Sequence, residues 1–387
     1  MLSFFKIIFR NKTGFLGFLG LVFYLLLITI GPLLVKFDNK VKLSQINSPP
    51  GSRLVLMTRP EDSDKYKNPS DLKGKTVGYI DKGAGKDFLE PFSEELNAKK
   101  FRFSSGRGVV KAFKALKEGK IDALVVFSKT VDKFLRNPDN RYYESEYTDL
   151  VVSNPKLGRP LLLGGDTQGR DIFTHLVNGG GLLILTAVTA ALISTLVAFF
   201  LGTAAGLIGG VFDRLVVAVA NFIIVLPRFP ILIVLAALFK INTWYILALI
   251  IASLHWPILT RAIRSQVLSL REREYVEAAV ALDLSKIHII FREILPNMMS
   301  FVIINFVTGI KVAMYDQVGL IFLGFASISN YTWAVMLYFA RSRGTLFNPD
   351  SILMLITPIA AIALFQISLI FFSRTIEEIY DPRLRGK

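Results

Sequence analysis

The sequence predicts a membrane protein built of α-helices, with six membrane-crossing segments and one α/β domain inserted after the first of them. Of the 387 residues, 52% are apolar and only 19% are charged, whereas a soluble domain has about 25% charged residues. The charges are also unevenly distributed, because 42 of the 75 lie in residues 36–160. The rest of the chain therefore contains uncharged stretches near the length of about 20 residues that a helix needs to cross a bilayer.

Six apolar segments are predicted to cross the membrane. The first follows Lys6, Arg10 and Lys12 as in a signal peptide, but its apolar run exceeds the roughly 7–15 residues of a signal core, so we expect an uncleaved anchor. Pro227 and Pro230 predict a kink or an interruption in the third segment, because proline lacks a backbone donor. The six segments are residues 14–35, 179–211, 215–239, 241–259, 298–325 and 351–372.

The distribution of basic residues predicts the orientation. With the amino terminus inside, the short inner segments hold 14 Lys and Arg, and the short outer loops hold three. Cytoplasmic loops of membrane proteins carry the excess of Lys and Arg. We therefore expect both termini and the loop 260–297 to be cytoplasmic, and residues 36–160 to be extracytoplasmic.

The insert between the first two segments is predicted to be a small α/β domain. Its β-branched runs and its segments with helical spacing alternate along the chain, which is typical of such folds. The predicted strands are residues 53–58, 75–80 and 121–127, and the predicted helices are residues 87–96 and 109–117.

Part of this insert is similar to one lobe of a solute-binding protein of the amino-acid-binding kind. The similar segments are Ser70-Asp-Leu-Lys-Gly-Lys-Thr-Val-Gly-Tyr79 and Ala112-Phe-Lys-Ala-Leu-Lys-Glu-Gly-Lys-Ile-Asp-Ala123. Such proteins close two lobes around a ligand, and residues 36–160 have the length of one lobe. This favours a docking or scaffold role over ligand binding, and ligand binding remains the alternative.

Several kinds of site are not expected in this chain. There is no cysteine, which excludes thiolate zinc sites, iron–sulfur clusters and cysteine nucleophiles. The three histidines are far apart in sequence, so we predict neither a metal site nor a catalytic residue. Residues 78–86 lack the glycine and the Ser/Thr positions of a phosphate-binding loop. The basic excess is attributed to membrane-flanking charge, and nucleic acid is not an expected partner.

Residues 271–282 are predicted to form a short amphipathic helix on the inner side. Tyr275, Ala278, Ala279 and Leu282 follow the i, i+3, i+4, i+7 spacing of one helical face. Such a helix could dock onto a partner or rest among the lipid headgroups. The physical pattern alone favours neither of these alternatives.

Two groups of residues stand out inside the predicted spans. Gly202, Gly206 and Gly210 recur every four residues and predict close helix packing, although glycine is also common in membrane helices. Charged residues within or near spans need a cavity, a partner helix or the interface, because a charge costs about 2.5–3.5 kcal/mol at the bilayer centre. We assign Arg228, Lys311 and Asp316, with the neighbouring Gln317, to the translocation path or to partner contacts.

The inner loop resembles the EAA loop of ABC-importer permeases, through Glu277-Ala-Ala279 and Leu295-Pro296. Further segments in the same order are similar to the dipeptide/oligopeptide/nickel importer permeases, the second-permease type of binding-protein-dependent transport system inner membrane component. They are Gly165–Phe173, Trp256-Pro257 with Arg261 and Arg264, residues 266–277, Phe322-Leu-Gly324, Trp333 with Met336-Leu337, and residues 381–386. Together they span roughly residues 160–387.

This resemblance implies an ABC importer permease fold with three parts. These are residues 1–35 with the first helix, the insert 36–160, and a permease core at 161–387. The implied partners are a second permease subunit, two ATPase subunits, an extracytoplasmic solute-binding protein and membrane lipid. The implied location is the cytoplasmic (inner) membrane of a prokaryote. No cofactor is expected on this chain, since ATP and magnesium would bind the ATPase subunits.

The resemblance also implies site residues, none of them catalytic. Tyr275, Glu277, Ala278, Ala279, Leu282 and Asp283 would belong to the helix that couples the permease to an ATPase subunit.

The sequence departs from the family pattern at three places. Asp283 replaces the usual glycine at a turn that often requires positive φ, Gly179-Gly-Gly181 replaces a Gly-Ala-Arg motif, and Gln317 replaces an acidic residue.

The resemblance leaves the transported solute open. Peptides are the leading expectation, with nickel and oligosaccharides as alternatives. A solute-coupled secondary transporter is the alternative from another class. It would need buried acidic or proton-relay groups at mid-span, for which only Asp316 qualifies.

Overall fold

The computed structural model describes residues 12–36, 42, 45–66, 69–80, 84–92, 97–101, 106–157, 159–239, 241–326, 331–347 and 349–380. Lys6, Arg10 and the motif at 381–386 lie outside these residues. The chain forms two compact units. The helical unit comprises Met1–Leu34, Asn178–Tyr338 and Pro358–Lys387, and the sheet unit comprises Val35–Val177 and Phe339–Thr357.

Helices dominate the described residues, and the strands are confined to the sheet unit. In chain order the elements are α1 (Lys12–Thr29), α2 (Gly31–Leu34), β1 (Leu54–Thr58), β2 (Thr76–Ile80), α3 (Ala84–Leu89), β3 (Asn97–Phe101), α4 (Gly106–Lys117), β4 (Ala123–Phe127), α5 (Ser128–Leu135), β5 (Val151–Asn154), α6 (Ile172–Ile208), α7 (Gly210–Val225), α8 (Arg228–Leu238), α9 (Trp244–Arg271), α10 (Glu274–Ala281), α11 (Leu295–Leu323), α12 (Trp333–Ser342) and α13 (Leu353–Tyr380).

The described helices include five that are long and apolar enough to cross a membrane, or six if a bent pair counts as one span. The pair is α7 and α8, which meet at an angle of 90°. Pro227 stands at the amino-terminal cap of α8, where its missing N–H costs no helical hydrogen bond. The prolines therefore interrupt this segment, as the sequence predicted.

Glycines allow the helices of the helical unit to approach one another closely. A Cβ on Gly17 of α1 would lie 2.5 Å from the backbone nitrogen of Phe372 in α13. Further along the same helix pair, the Tyr24 hydroxyl donates a hydrogen bond of 2.7 Å to the Ala361 carbonyl. Small residues serve in this way because lipid tails supply no hydrophobic force between helices.

The glycines at 179 and 180 make room for the indole of Trp333, which is fully buried. A Cβ on Gly180 would lie 2.5 Å from Cζ2 of Trp333, whereas the described atom nearest to a Cβ on Gly181 would be 3.7 Å away. The glycines that stand here in place of the Gly-Ala-Arg motif therefore provide the space that Trp333 occupies.

Gly202 and Gly206 pack against α9. Their Cβ atoms would each lie 2.7 Å from an α9 atom, the Thr260 carbonyl oxygen and Val267 Cγ1 respectively. Gly210 differs, because α6 ends at Ile208 and Gly210 has a φ of 62°. A Cβ on Gly210 would meet no atom of the described residues within 4 Å. The prediction that Gly210 shares this packing face is wrong, since the helical spacing does not continue that far.

The sheet unit contains a mixed five-stranded sheet in the described residues, ordered β3-β2-β4-β1-β5. β2 runs parallel to β3 and β4, and β1 runs antiparallel to β4 and β5. In the register, Leu54 faces Phe127 and Val77 faces Ala123. The predicted helix at 87–96 ends early, because α3 stops at Leu89 and strand β3 begins at Asn97.

The sheet is covered on both faces, which explains why β1 and β4 are almost continuously apolar. On one face, Met57 and Val126 pack against α4 and α5 through residues such as Phe113 and Phe134. On the other face, Leu56 packs in a cluster with residues such as Leu161. All five residues of β1 and of β4 are buried.

The segment 165–173 folds into a tight loop around one buried carboxylate. Asp166 Oδ1 accepts hydrogen bonds of 2.7 Å from the Gln168 N–H and 2.8 Å from the Arg170 N–H. Asp166 Oδ2 accepts a bond of 2.8 Å from Arg170 Nε, and both side chains are buried. Gly169 has a φ of 78° and lies against the Lys42 carbonyl. This loop leads the chain into α6.

Because Gly180 is in contact with Trp333, Gly180→Ala should lower the free energy of unfolding by about 1–3 kcal/mol through overpacking. The matched control is Gly181→Ala, which adds the same methyl group one position along the same helix, where there is room for it. Thermal unfolding of the purified protein in detergent measures both. Equal midpoints for the two variants would contradict the packing assignment.

Candidate functional site

The segment between α9 and α11 holds a short helix, α10, that is anchored by two small apolar side chains. Val276 and Ala279 are buried in a cluster with residues of α6, α9 and the start of α11, including Phe199, Val267 and Met298. A π-helical segment, Ile289–Ile294, supplies two further members of this cluster. The helix is therefore fixed to three membrane helices through one face.

The opposite side of α10 is exposed. Tyr275, Glu277, Ala278 and Leu282 all lie on the surface, and Leu282 is 74% exposed. The helical face predicted from Tyr275, Ala278, Ala279 and Leu282 is therefore not one surface. Ala279 packs inside this chain, whereas the other three side chains are exposed. We missed Val276 as an anchor, although it lies three residues before Ala279 at helical spacing.

Exposed apolar side chains continue beyond α10 along the same loop. Ile287 is 70% exposed and Phe291 is 47% exposed. Leu282 and Tyr275 are exposed as well, so four large apolar side chains between residues 275 and 291 lie on the surface. Contiguous apolar surface marks an interaction site or contact with lipid.

Asp283 ends α10 in a left-handed turn. Its φ is 54°, the conformation expected from the glycine that the family has here. The Leu284 N–H donates a hydrogen bond of 3.2 Å to the Ala279 carbonyl, spanning five residues as in a Schellman motif. Aspartate tolerates this conformation better than most residues, so the substitution preserves the turn.

A second candidate site is a cluster of charged and polar side chains that joins three helices. Arg228, the first residue of α8, contacts both Asp316 of α11 and His255 of α9. His255 Nε2 lies 2.9 Å from Asp316 Oδ2. The Asp316 side chain is 12% exposed and the Arg228 side chain is 32% exposed, so this Arg228–His255–Asp316 cluster is open on the arginine side.

The neighbouring polar residues of α11 lie outside this cluster. Lys311 makes no ion pair with any described residue, and its backbone carbonyl accepts a hydrogen bond from Gln366. Gln317 is buried, and its Oε1 has no hydrogen-bond partner among the described residues. It lines a cavity of about 30 Å³ with Thr186 and Thr332. That volume is enough for about one water molecule, which could satisfy such an oxygen.

Comparison with known proteins decides the family. The family described as "Binding-protein-dependent transport system inner membrane component" matches residues 198–386. A putative peptide permease protein from Brucella ovis is 30% identical over 243 residues, covering 62% of this chain and 79% of that protein. The chain belongs to this permease family.

Other similar proteins carry related names. The oligopeptide transport system permease protein OppC of Mycobacterium tuberculosis is 33% identical over 165 residues, covering 42% of this chain and 56% of that protein. The Lactococcus lactis OppC is 33% identical over 187 residues, covering 47% of this chain and 63% of that protein. Among solved structures, the holo form of ArgBP from T. maritima matches with a TM-score of 0.23 and 26% identity, covering 29% of this chain and 44% of that protein.

The family assignment confirms the resemblance that the sequence motifs predicted. It makes the chain a multi-pass permease of the inner membrane, from a family of ABC importers that depend on a binding protein. The sequence did not indicate the ionic partner of Arg228, or any role for His255. Neither is readable from spacing, because the three residues lie on different helices, with His255 27 positions and Asp316 88 positions from Arg228.

We expect Asp316→Asn and Arg228→Gln each to destabilise the protein, because each leaves one partner of a largely buried ion pair uncompensated. The expected loss is about 1–3 kcal/mol, below the full value for a buried pair since Arg228 is partly exposed. The double variant should lose less than the sum of the two.

Thermal unfolding in detergent measures the stability of the two single variants and of the double variant. Lys311→Gln is the matched control, since it removes a cation from α11 that makes no ion pair among the described residues. A strictly additive double variant, or a control as unstable as Asp316→Asn, would contradict the assignment.

Proposed function

We propose that this chain is the transmembrane permease subunit of an ATP-driven importer of peptides, and that it forms half of the translocation pore. The family assignment and the relatives named as peptide or oligopeptide permeases support this proposal. The observation that carries the coupling role is the division of α10 into a buried face and an exposed face. The chain itself hydrolyses nothing in this proposal.

The exposed face of α10 would bind an ATPase subunit. Tyr275, Glu277, Ala278 and Leu282 offer an apolar surface with one carboxylate, while Val276 and Ala279 hold the helix to the membrane helices. When the ATPase subunits close on ATP, they would move α10. The buried side chains of α10 would then pass this movement to the membrane helices. In the proposed assembly, one such subunit pairs with each of two permeases.

The Arg228–His255–Asp316 cluster would lie beside the translocation path. Charged groups within membrane helices generally face a bundle interior or a water-filled cavity. The partly exposed Arg228 stands at the break between α7 and α8, and broken helices commonly line substrate pathways. In this proposal the segment from Gly210 to Leu238 forms a sixth span.

Both termini would be cytoplasmic, and the insert would face outward. The excess of basic residues on the short inner segments supports this orientation. There the insert would dock the solute-binding protein or cap the partner permease. It carries a net charge of about +8, from 25 basic and 17 acidic residues, which suits an acidic face on the partner.

Two alternatives concern the solute and the energy source. Importers of this family for nickel or oligosaccharides would need the same coupling helix. A secondary transporter would need a proton-relay or ion site at mid-span, and Asp316 is already paired with Arg228. The family assignment and the relatives named as oligopeptide permeases favour the ATP-driven importer.

Glu277→Lys should reduce ATP-driven peptide uptake by tenfold or more, because like-charge contacts across an interface cost several kcal/mol. Uptake by membrane vesicles containing the assembled importer measures this effect. Asp139→Lys, an equal charge reversal at an exposed turn of the sheet unit, is the control and should transport normally. Wild-type uptake by Glu277→Lys would overturn the coupling assignment.

The orientation is tested with single cysteines, which this cysteine-free chain permits. Ser145→Cys in the insert should react with a membrane-impermeant maleimide in intact cells in which the reagent reaches the outer surface of the inner membrane. Ser285→Cys in the inner loop should react only after lysis. Both serines are exposed, so accessibility to water is matched, and the reverse pattern would contradict the proposed topology.

A further inference from the structure

The sheet unit contains a cavity of about 300 Å³ that the proposed transport role does not use. Ligand pockets in proteins begin at about this volume. One wall of the cavity is apolar and is formed by Leu54, Phe88, Phe127 and Leu161. Three of these side chains are buried in the core on one face of the sheet, so the wall is firmly held.

The rest of the lining is strongly cationic. Lys36, Lys42, Arg159 and Arg170 all line the cavity, against the single carboxylate of Asp171. Arg170 is paired with Asp166, but Lys36 and Arg159 are exposed and make no ion pair with any described residue. Counting the paired carboxylate of Asp166 as well, four cations face two anions, which leaves a local charge of +2.

The Asp171 carboxyl group lies next to the start of α6. Burial raises the pKa of its carboxyl group above the usual range. Its Oδ1 also accepts a hydrogen bond of 2.9 Å from the Phe173 N–H at the start of α6. The carboxylate is therefore directed to the helix terminus.

Two of the cationic residues, Lys36 and Arg170, lie just outside the ends of apolar helices. Lys36 follows α2, which ends at Leu34, and Thr174, another lining residue, lies in the first turn of α6. The segments Lys12–Leu34 and Ile172–Ile208 are both apolar enough to cross a membrane. The segment Lys12–Leu34 has 23 residues, close to the length of about 20 that crosses the hydrocarbon core, so its end next to Lys36 would lie near the lipid headgroups, where phosphate groups are concentrated.

We propose that this cavity binds a phosphate group carried by an organic body, with the headgroup of an anionic phospholipid as its source. Lys36 and Arg159 would bind the phosphate oxygens through charge-assisted hydrogen bonds. The apolar wall would contact the carbon atoms attached to the phosphate. A soluble phosphate ester has the same chemistry, and the experiment separates the two sources.

The test compares ligands on the purified full-length chain in nanodiscs of phosphatidylcholine. Phosphatidylglycerol is titrated into the lipid, and glycerol 3-phosphate and inorganic phosphate are added separately at constant ionic strength. Bound lipid is counted by native mass spectrometry, and the thermal unfolding midpoint is recorded. The variant carries both Lys36→Gln and Arg159→Gln. The matched control is Lys156→Gln, which removes an exposed cation that lies three residues before Arg159 and does not line the cavity.

The double variant should bind phosphatidylglycerol about 30-fold more weakly, at about fivefold per cation, while the control binds as the wild type does. Both replaced side chains are exposed, so the fold is retained. The same loss for glycerol 3-phosphate, without a lipid effect, would support the phosphate site and identify a soluble source. Unchanged phosphatidylglycerol and phosphate binding in the double variant, or loss of peptide binding instead, would overturn the proposal.

Discussion

A charged group inside an apolar helix is costly unless it is paired, and one cluster of paired side chains joins three helices of the helical unit. Water is absent from the bilayer core, so an unpaired charge there is costly. Asp316, His255 and Arg228 contact one another across α11, α9 and α8. Arg228 can take part because α8 starts afresh at that residue after a 90° bend. The bend between α7 and α8 therefore places Arg228 where it contacts Asp316 and His255.

The same environment determines how the helices touch. Because lipid tails compete equally for apolar side chains, close backbone approach replaces hydrophobic force as the source of association. Gly17 admits Phe372 of α13, Gly180 admits the indole of Trp333, and Gly202 admits the backbone of α9. The sheet unit is built differently, since its sheet buries apolar residues on both faces as soluble α/β domains do.

Sequence patterns predicted most elements but few of their contacts. The apolar runs indicated the spans, the prolines indicated the break, and the β-branched runs indicated β1, β2 and β4. Strand β3 was missed because Asn97–Phe101 is polar, and its place at the sheet edge comes only from pairing with β2. The pairing of Arg228 with Asp316 was also missed, since spacing along one helix cannot indicate a contact between helices. The buried face of α10 escaped prediction for a related reason. Helical spacing groups residues such as Val276 and Ala279 on one face, but it does not show which face of a short helix packs against the other helices.

The anchoring of α10 determines what its exposed face can transmit. Val276 and Ala279 are small, so the helix lies close against its neighbours and cannot shift without displacing them. Their cluster contains Phe199 of α6, Val267 of α9 and Met298 of α11, and α9 and α11 also carry His255 and Asp316. The left-handed turn at Asp283 then reverses the chain directly into the segment that leads to α11. In the proposed coupling, a load on the exposed side of α10 would be carried by packed side chains to the same two helices that contact Arg228 at the break between α7 and α8.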